Sequence, residues 1–459
     1  WLTLAASRSK ECPQVVNGKT IIPHGGSAKK GRHIVGKKVL IVGQGGREHA
    51  LAWKLAQSPE IEKLYAAPGN PGIAQMAECL SIKAEDIEGL LAFAQDNNID
   101  LTVVGPEAPL MAGIVDRFRA AGLIIFGPTA GAAQLEGSKV FAKNLMKKYG
   151  IPTAKYEVFT EPEQAKAYAR TFTDRGEAVV IKADGLAAGK GVIVAANYAE
   201  ASAAIDSIMA DRQFGEAGNQ VVVEECLLGE EVSFFALTDG VDFVPLLSAQ
   251  DHKRVFDNDA GPNTGGMGAY TNPPVFTAEL YERAVEQVIK PVIKGMASEG
   301  YPYQGVLYAG LMITADGLKV LEFNARFGDP ETQVLMPMIK SDLLPLLEAS
   351  ARGNIQRAGI ELNDGVCVCV VLASGGYPGS YEKGKVIAGI DNVKDALVFQ
   401  AGTALDQGRL ITGGGRVLGV VCRGRDFRAA IDQVYGQVEQ IHFEGRHYRR
   451  DIGHRALKK

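Results

Sequence analysis

The residues best suited to do chemistry in this 459-residue chain fall into three clusters. In the first, Val179–Ala183 (VVIKA) reads as an apolar strand with Lys182 inside it, and Gly189, Lys190 and Gly191 follow in a glycine-rich turn before the next β segment. A buried ammonium is costly unless an anion meets it, so Lys182 is expected to face one. The Gly189–Gly191 turn is not a Walker A loop, because no Ser or Thr follows the lysine and a strand comes next instead of a helix. It suits a hairpin that closes over phosphates, with a plain hairpin turn as the alternative. The second cluster ends the strand Leu318–Phe323. Glu322 and Asn324 are two apart and share one face, while Leu321 and Phe323 fill the other. A carboxylate and an amide oxygen are hard ligands of the kind Mg²⁺ accepts, and a solvated strand edge is the alternative. The third cluster comprises the turns Gly43–His49 (GQGGREH), Pro68–Gly72 (PGNPG) and Gly105–Glu107, whose glycines let main-chain N–H groups approach an anion. The dinucleotide fingerprint is incomplete there: Glu48 occupies the place of the third glycine, and no acid ends the second strand before Pro68. A phosphate smaller than NAD is the expected ligand.

These clusters need elements to hold them. From Lys37 short apolar strands (Val39–Val42, Leu64–Ala67, Leu101–Val104) alternate with amphipathic helices near His49–Gln57, Ile87–Gln95 and Met111–Ala121, which implies a parallel, doubly wound sheet. Ligands on such a sheet bind at the carboxyl ends of the strands, where the three glycine turns lie. Residues from Gly127 to Gly359 mix helices with β segments and read as α+β, and the block from Asn363 reads as a small α+β cap with strands Val366–Ala373 and Val417–Cys422 and a helix near Phe427–Ile441. Residues 1–36 carry six Lys/Arg against one acid, Glu11, and are expected to form a disordered leader outside the fold. An added or misassigned start is one reading of that leader, an organelle transit segment the other. The expected fold is thus multidomain, α/β and α+β: a leader over 1–36, a Rossmann-like substrate domain over 37–138, a central domain over 139–362 and an α+β domain over 363–459.

Composition narrows the function. With 46% hydrophobic and 22% charged residues the chain is globular. No stretch reaches the roughly 18 apolar residues of a membrane helix, so no membrane role is expected. A net charge of −4 gives nucleic acid no general attraction. Six cysteines without a C-x-x-C pair suggest reduced thiols and no zinc, with Cys367 and Cys369 packed on one strand face.

Taken in order, the strand lysine, the glycine–lysine turn, Glu224–Leu227 (EECL) followed by Glu231, and Glu322–Arg326 (EFNAR) resemble the ATP-grasp superfamily. Within it, Gly43–His49, Val104–Leu110, Gly127–Lys139, Lys182–Gly191, Gln250–Arg254, Gly261–Tyr270 (GPNTGGMGAY) and Glu322–Gln333 (EFNARFGDPETQ) are similar to the glycinamide ribonucleotide synthetase family across residues 37–459. The resemblance implies an ATP-grasp central domain with a mobile flap over about 159–228. It implies the ATP-dependent joining of glycine to 5-phosphoribosylamine through glycyl phosphate, giving glycinamide ribonucleotide, ADP and phosphate in purine biosynthesis. It further implies a cytoplasmic enzyme, a monomer or weak dimer, whose activity stands alone on this chain. The rival readings are another ATP-grasp ligase, such as a carboxylase acting on a purine intermediate, a nucleotide-sensing module, and an oxidoreductase.

Roles follow by the same resemblance. The adenine edge is expected at Glu224, Glu225 and Leu227, the ribose at Glu231, and phosphates at Lys139, Lys182, Gly189, Lys190 and Gly191. Glu322 and Asn324 would hold Mg²⁺ or Mn²⁺; the acid that many superfamily members carry on the preceding strand is missing from Val306–Met312. Arg326 is expected to clamp an anion, or to pair with Asp329, because a guanidinium binds a carboxylate or phosphate through two parallel hydrogen bonds. Asp251, with His252 and Lys253, and the loop holding Asn263, Gly265 and Gly266 would line the acceptor site. Gly45, Gly46, Arg47, Gly69, Asn70 and Glu107, with Asp329, would receive phosphoribosylamine.

Overall fold

The strand Lys37–Gly43 buries Val39, Leu40, Ile41 and Val42 completely, as expected of a strand covered on both faces. In the computed structural model, which describes residues 36–185, 191–211, 215–357 and 359–458, it forms the middle of a parallel sheet. Among the described residues this sheet has five strands in the order Glu78–Cys79, Ile61–Pro68, Lys37–Gly43, Leu101–Val104, Ile125–Phe126. The direction of winding reverses between Lys37–Gly43 and Leu101–Val104, so the turns that leave these strands lie side by side at the switch point. The helix expected near Met111–Ala121 is Ile114–Ala120, and Gly113, whose φ of 86° breaks the spiral, separates it from a further short helix, Glu107–Met111.

A second, antiparallel sheet carries the strand lysine. Its order is Tyr156–Phe159, Val221–Glu225, Val179–Ala183, Val192–Ala195, and the helices Pro162–Thr173 and Tyr198–Ile205 close over a core of their own around Phe172, Ile181 and Val223. Val179–Ala183 and Val192–Ala195 pair antiparallel with Lys182 opposite Val192, the arrangement a hairpin requires. Gly189 and Lys190, expected at the phosphates, fall in 186–190, outside the described residues, as does the expected leader up to residue 35.

The largest sheet among the described residues runs Gly317–Asn324, Gln304–Thr314, Glu230–Asp239, Ala249–Asp251, Gly268–Thr271, Val366–Ala373, Arg416–Gly424, Leu397–Gln400. Central and C-terminal strands therefore share one sheet: Tyr270 pairs with Val368, and the sheet does not break near residue 363. Cys367 and Cys369 point to one face and are fully buried, as their spacing requires. The N-terminal domain joins the same interior, since Leu40 and Val42 pack in one cluster with Phe234, Leu311, Val320 and Phe323. No helix among the described residues is long and apolar enough to cross a membrane.

Candidate active site

The anion that meets Lys182 is the protein's own Glu224. Both are buried, and the ammonium forms an ion pair with Glu224 Oε1 and donates to the Leu321 carbonyl at 3.1 Å. Burial raises the Glu224 carboxyl, but Lys182 and Lys143 outweigh it and hold the group below the usual carboxylate range. Lys139 opens the helix Lys139–Lys148, capped by Ser138, and donates to the Gly185 carbonyl at 3.0 Å. Beyond Glu225 the strand ends. The Glu225 N–H is bonded to the Lys155 carbonyl and its carboxylate accepts from Lys155 N–H and Lys319, whereas Cys226 and Leu227 have no main-chain partner among the described residues. Main-chain groups are thus free just beyond the strand end, at Cys226 and Leu227, while the Glu225 N–H is engaged.

Glu322 and Asn324 project beside this pair. Phe323 fills the core as expected, but Leu321 lies at a bulge opposite Gly310 and Leu311, which turns its carbonyl toward Lys182. Burial raises the Glu322 carboxyl, and Lys253, Lys182, Lys139 and Arg326 together draw it below its ordinary value. Neither the Glu322 nor the Asn324 side chain has a hydrogen-bond or ion-pair partner among the described residues. Two uncommitted oxygens ringed by cations that phosphates would neutralise fit a divalent ion that keeps few protein ligands and shares the nucleotide's oxygens. No larger cluster of His, Cys, Asp or Glu suited to a metal occurs among the described residues. Nearby, Lys253 pairs with Glu231, and burial pushes the Asp251 carboxyl up to about 7, with Lys253 opposing and Glu331, Glu231 and Glu322 adding to the rise. Glu331 accepts from Ser233 at 3.0 Å and from Tyr308 at 2.7 Å.

The third cluster differs from expectation. Gly45 N–H is taken by Glu48 Oε2 at 2.6 Å, and Arg47 Nε lies 2.5 Å from Glu48 Oε1. The residue in the third-glycine place thus fills the pocket a dinucleotide phosphate would use. A Cβ on Gly43 would come within 2.6 Å of Glu48 Cγ, and one on Gly105 would overlap the Glu48 carboxylate, so these glycines make room for a side chain of the same domain. Asn70 is saturated: it donates to the Gln44 and Gln400 carbonyls at 2.8 Å and accepts from Gly72 and Ile73 at 2.9 Å, so it shapes the turn and leaves no valence for substrate. Gly69, with φ of 72°, sits against Cys79.

Arg326 does not pair with Asp329. It lies 3.1 Å from Glu136 and 3.5 Å from Glu107, while Asp329 pairs with Arg416 at 3.2 Å and accepts from Gln333 at 2.7 Å. Arg416 also donates at 2.7 Å to the Gly265 and Asp329 carbonyls, and Tyr377 accepts from Gly265 N–H at 3.0 Å. Gly45 is close enough to Asp329 that a Cβ would stand 3.5 Å from its carboxylate, and Gly46 abuts Gln333. Gly45, Gly46, Arg47, Glu107, Gly265, Gly266, Arg326 and Asp329 thus gather in one region. Asn263 is exposed on a hairpin opposite Arg254, with no bond to the other site residues among those described. Sequence reasoning missed Lys143, Glu136, Glu331 and Arg416. Lys143 carried a signal, since it stands four residues after Lys139 on one helix face; Arg416, in a strand of the C-terminal block, carried none.

Comparison with known proteins covers the same ground. Family models for the N domain, the ATP-grasp (A) domain and the C domain of phosphoribosylglycinamide synthetase match residues 37–136, 137–332 and 367–455. A phosphoribosylamine–glycine ligase from Rhizobium meliloti is 55% identical over 92% of this chain and 99% of its own length. The crystal structure of phosphoribosylamine–glycine ligase from Thermotoga maritima superposes with a TM-score of 0.79 at 36% identity, covering 90% of this chain and 99% of that one. The biotin carboxylase domain of Hydrogenobacter thermophilus 2-oxoglutarate carboxylase, solved with MgADP, ADP and bicarbonate, shares the fold at a TM-score of 0.70 and 17% identity, covering 90% of this chain and 91% of that one.

Proposed function

The chain belongs to the phosphoribosylglycinamide synthetase family, and from that premise we propose how its residues divide the labour of an ATP-dependent carboxylate–amine ligase that joins glycine to 5-phosphoribosylamine in purine biosynthesis. In the first step a glycine carboxylate oxygen attacks the γ-phosphorus of ATP and the bond to the β-bridging oxygen breaks, leaving glycyl phosphate and ADP. In the second the amine of phosphoribosylamine attacks the acyl carbon, phosphate departs with the C–O electron pair, and the amine gives up a proton. Both steps need positioning and charge neutralisation more than covalent help.

The observation that carries the assignment is that Lys182 bonds the carbonyl of Leu321, the residue before Glu322, so the cation and the metal-type oxygens converge on one strand end. Lys182 and Lys139 meet the phosphates, the main chain around Cys226–Leu227 takes the adenine edge, and Glu231, held by Lys253, takes the ribose hydroxyls. Glu322 and Asn324 would hold the divalent ion, Mg²⁺ or Mn²⁺, which when bound would supply charge neutralisation for the phosphates. Arg326, fixed by Glu136 and Glu107, offers its remaining donors to the glycine carboxylate. Asp251, with a carboxyl poised near neutrality, receives the amine proton. The Gly45–Arg47 turn, Gly265, Gly266 and Asp329 receive the sugar phosphate and its hydroxyls. The assembly proposed is a monomer or weak dimer, and the free thiols Cys367, Cys369 and Cys422 suit a reducing compartment such as the cytoplasm.

Steady-state release of ADP tests the assignment. Lys182→Met should raise KM for ATP and lower kcat by about 10²-fold, the scale of one lost electrostatic contact to the transition state. ADP release that needed bicarbonate in place of glycine would point to a carboxylase and overturn the substrate reading.

A further inference from the structure

Lys182 is asked to be in two places, buried against Glu224 and available to phosphates. The second partner of Glu224 shows how both are met. Lys143, 2% exposed, forms its own ion pair with Glu224 from the helix Lys139–Lys148, donates to Thr153 Oγ1 at 2.8 Å and lies 5.3 Å from the centre of the Tyr156 ring. Thr153 Oγ1 donates in turn to the Val320 carbonyl at 2.7 Å. The contacts therefore close a ring, Val320–Thr153–Lys143–Glu224–Lys182–Leu321, whose two ends are consecutive residues of the strand that carries Glu322 and Asn324. One carboxylate between two ammoniums leaves the trio with a net positive charge in the interior.

We propose that Lys143 is a positioning residue that takes over Glu224 when Lys182 turns to the triphosphate. A buried carboxylate stripped of its only cation is severely penalised, so a lone Lys182–Glu224 pair would resist being opened by nucleotide. With Lys143 in place, Lys182 leaves behind a neutral Lys143–Glu224 pair and carries its full charge to the phosphates. Burial pushes the Lys143 ammonium down to about 8, Lys182 lowering it further and Glu224 and Glu225 raising it, so it is charged near neutrality and ready for that exchange. The surplus charge of the trio is what an incoming polyanion neutralises. This inference rests on Lys182 meeting the triphosphate.

The test is a double-mutant cycle on the full chain with Lys143→Met, Glu224→Gln and their combination, reading KM for ATP, glycine and phosphoribosylamine, kcat and Tm. Lys143→Met should raise KM for ATP about tenfold while KM for glycine moves less than about threefold. Glu224→Gln added to it should restore most of the ATP affinity, because a neutral amide needs no cation to release Lys182. An unchanged KM for ATP in Lys143→Met, or no recovery in the double variant, overturns the proposal. If Lys143→Met alone does not fold, the double variant decides: KM for ATP within about threefold of wild type supports the exchange, and a rise of about tenfold sinks it. Lys182→Met with unchanged KM for ATP would instead remove the nucleotide-site reading on which the exchange rests.

Discussion

At the scale of single residues, the site is a set of buried charges that the protein balances with its own side chains until substrates arrive. Glu322 is an exception, a carboxylate near Lys253, Lys182, Lys139 and Arg326 that pairs with none of them among the described residues. Glu322→Gln keeps the shape and removes one hard ligand, so kcat should fall by about 10²-fold and the Mg²⁺ concentration for half-maximal ADP release should rise. An unchanged Mg²⁺ dependence would move the metal elsewhere. Asp251 gives a second prediction. Its folded carboxyl holds a proton up to about 7, whereas the unfolded chain releases it near 3.8. The folded state therefore binds more protons across that window, and stability falls as pH rises through it, then levels off. In metal-free protein, Asp251→Asn should flatten that slope and be more stable than wild type at pH 8 by on the order of 2–4 kcal/mol, while losing ligase activity. Urea melts at pH 4 and pH 8 read the difference, and parallel curves for the two proteins would show that Asp251 does not titrate in this window.

At the scale of elements, the strand-to-helix turn at Gly43–Glu48 shows how one side chain organises three segments. Glu48 caps Gly45 N–H, pairs with Arg47 and lies under Gly43 and Gly105, which open space for it. Gly105→Ala should displace the carboxylate and cost about 2–4 kcal/mol, combining overpacking with loss of the cap, and Glu48→Ala in the same chain should recover only the overpacking part. Equal urea midpoints for wild type and Gly105→Ala would contradict this. The strands Leu101–Val104, Val179–Ala183 and Val366–Ala373 were legible to the residue because a short apolar run between turn residues is a local signal. The helix expected near Met111–Ala121 starts three residues later, at Ile114, because Gly113 takes a positive φ that ends the spiral before it. What could not be read was pairing at long range. Arg326 stands three residues from Asp329, yet its partners Glu107 and Glu136 come from other elements, and Asp329 meets Arg416 from a strand that nothing in its neighbourhood marks. The burial of Glu224 between two lysines likewise depends on a helix and a sheet meeting.

At the scale of the whole molecule, the glycine turns of the N-terminal domain are held by the C-terminal block. The central sheet passes without interruption into the C-terminal strands, and the last of these, Leu397–Gln400, lies against the first helix, Gly46–Leu55. His49 Nδ1 accepts from Gln400 N–H at 2.8 Å, its ring meets Phe399 edge-on at 5.4 Å, and Gln400 in turn accepts from Asn70, so one histidine fastens the Gly45–Arg47 turn to the C-terminal block. Burial depresses the imidazolium of His49 to about 4 from an ordinary 6.5, the Gln400 contact being the lesser influence. The sign is opposite to that of Asp251. Between these values the unfolded chain binds a proton that the folded one refuses, so this contribution is complete above pH 6.5 and disappears as pH falls toward 4, by up to about 3 kcal/mol. His252, buried and depressed to about 3 by desolvation and then by Arg449 and Arg455, acts in the same direction. The His49 share is isolated by His49→Asn, which keeps an acceptor for Gln400 N–H but does not titrate. That variant should be less stable than wild type at pH 7, because ring packing on Phe399 is lost, and the gap should shrink or reverse by pH 4.5. KM for phosphoribosylamine should rise on acidification in wild type and be raised but flat in the variant. Should the two proteins lose stability in parallel from pH 7 to 4.5, the histidine is not what ties the N-terminal domain to the C-terminal block.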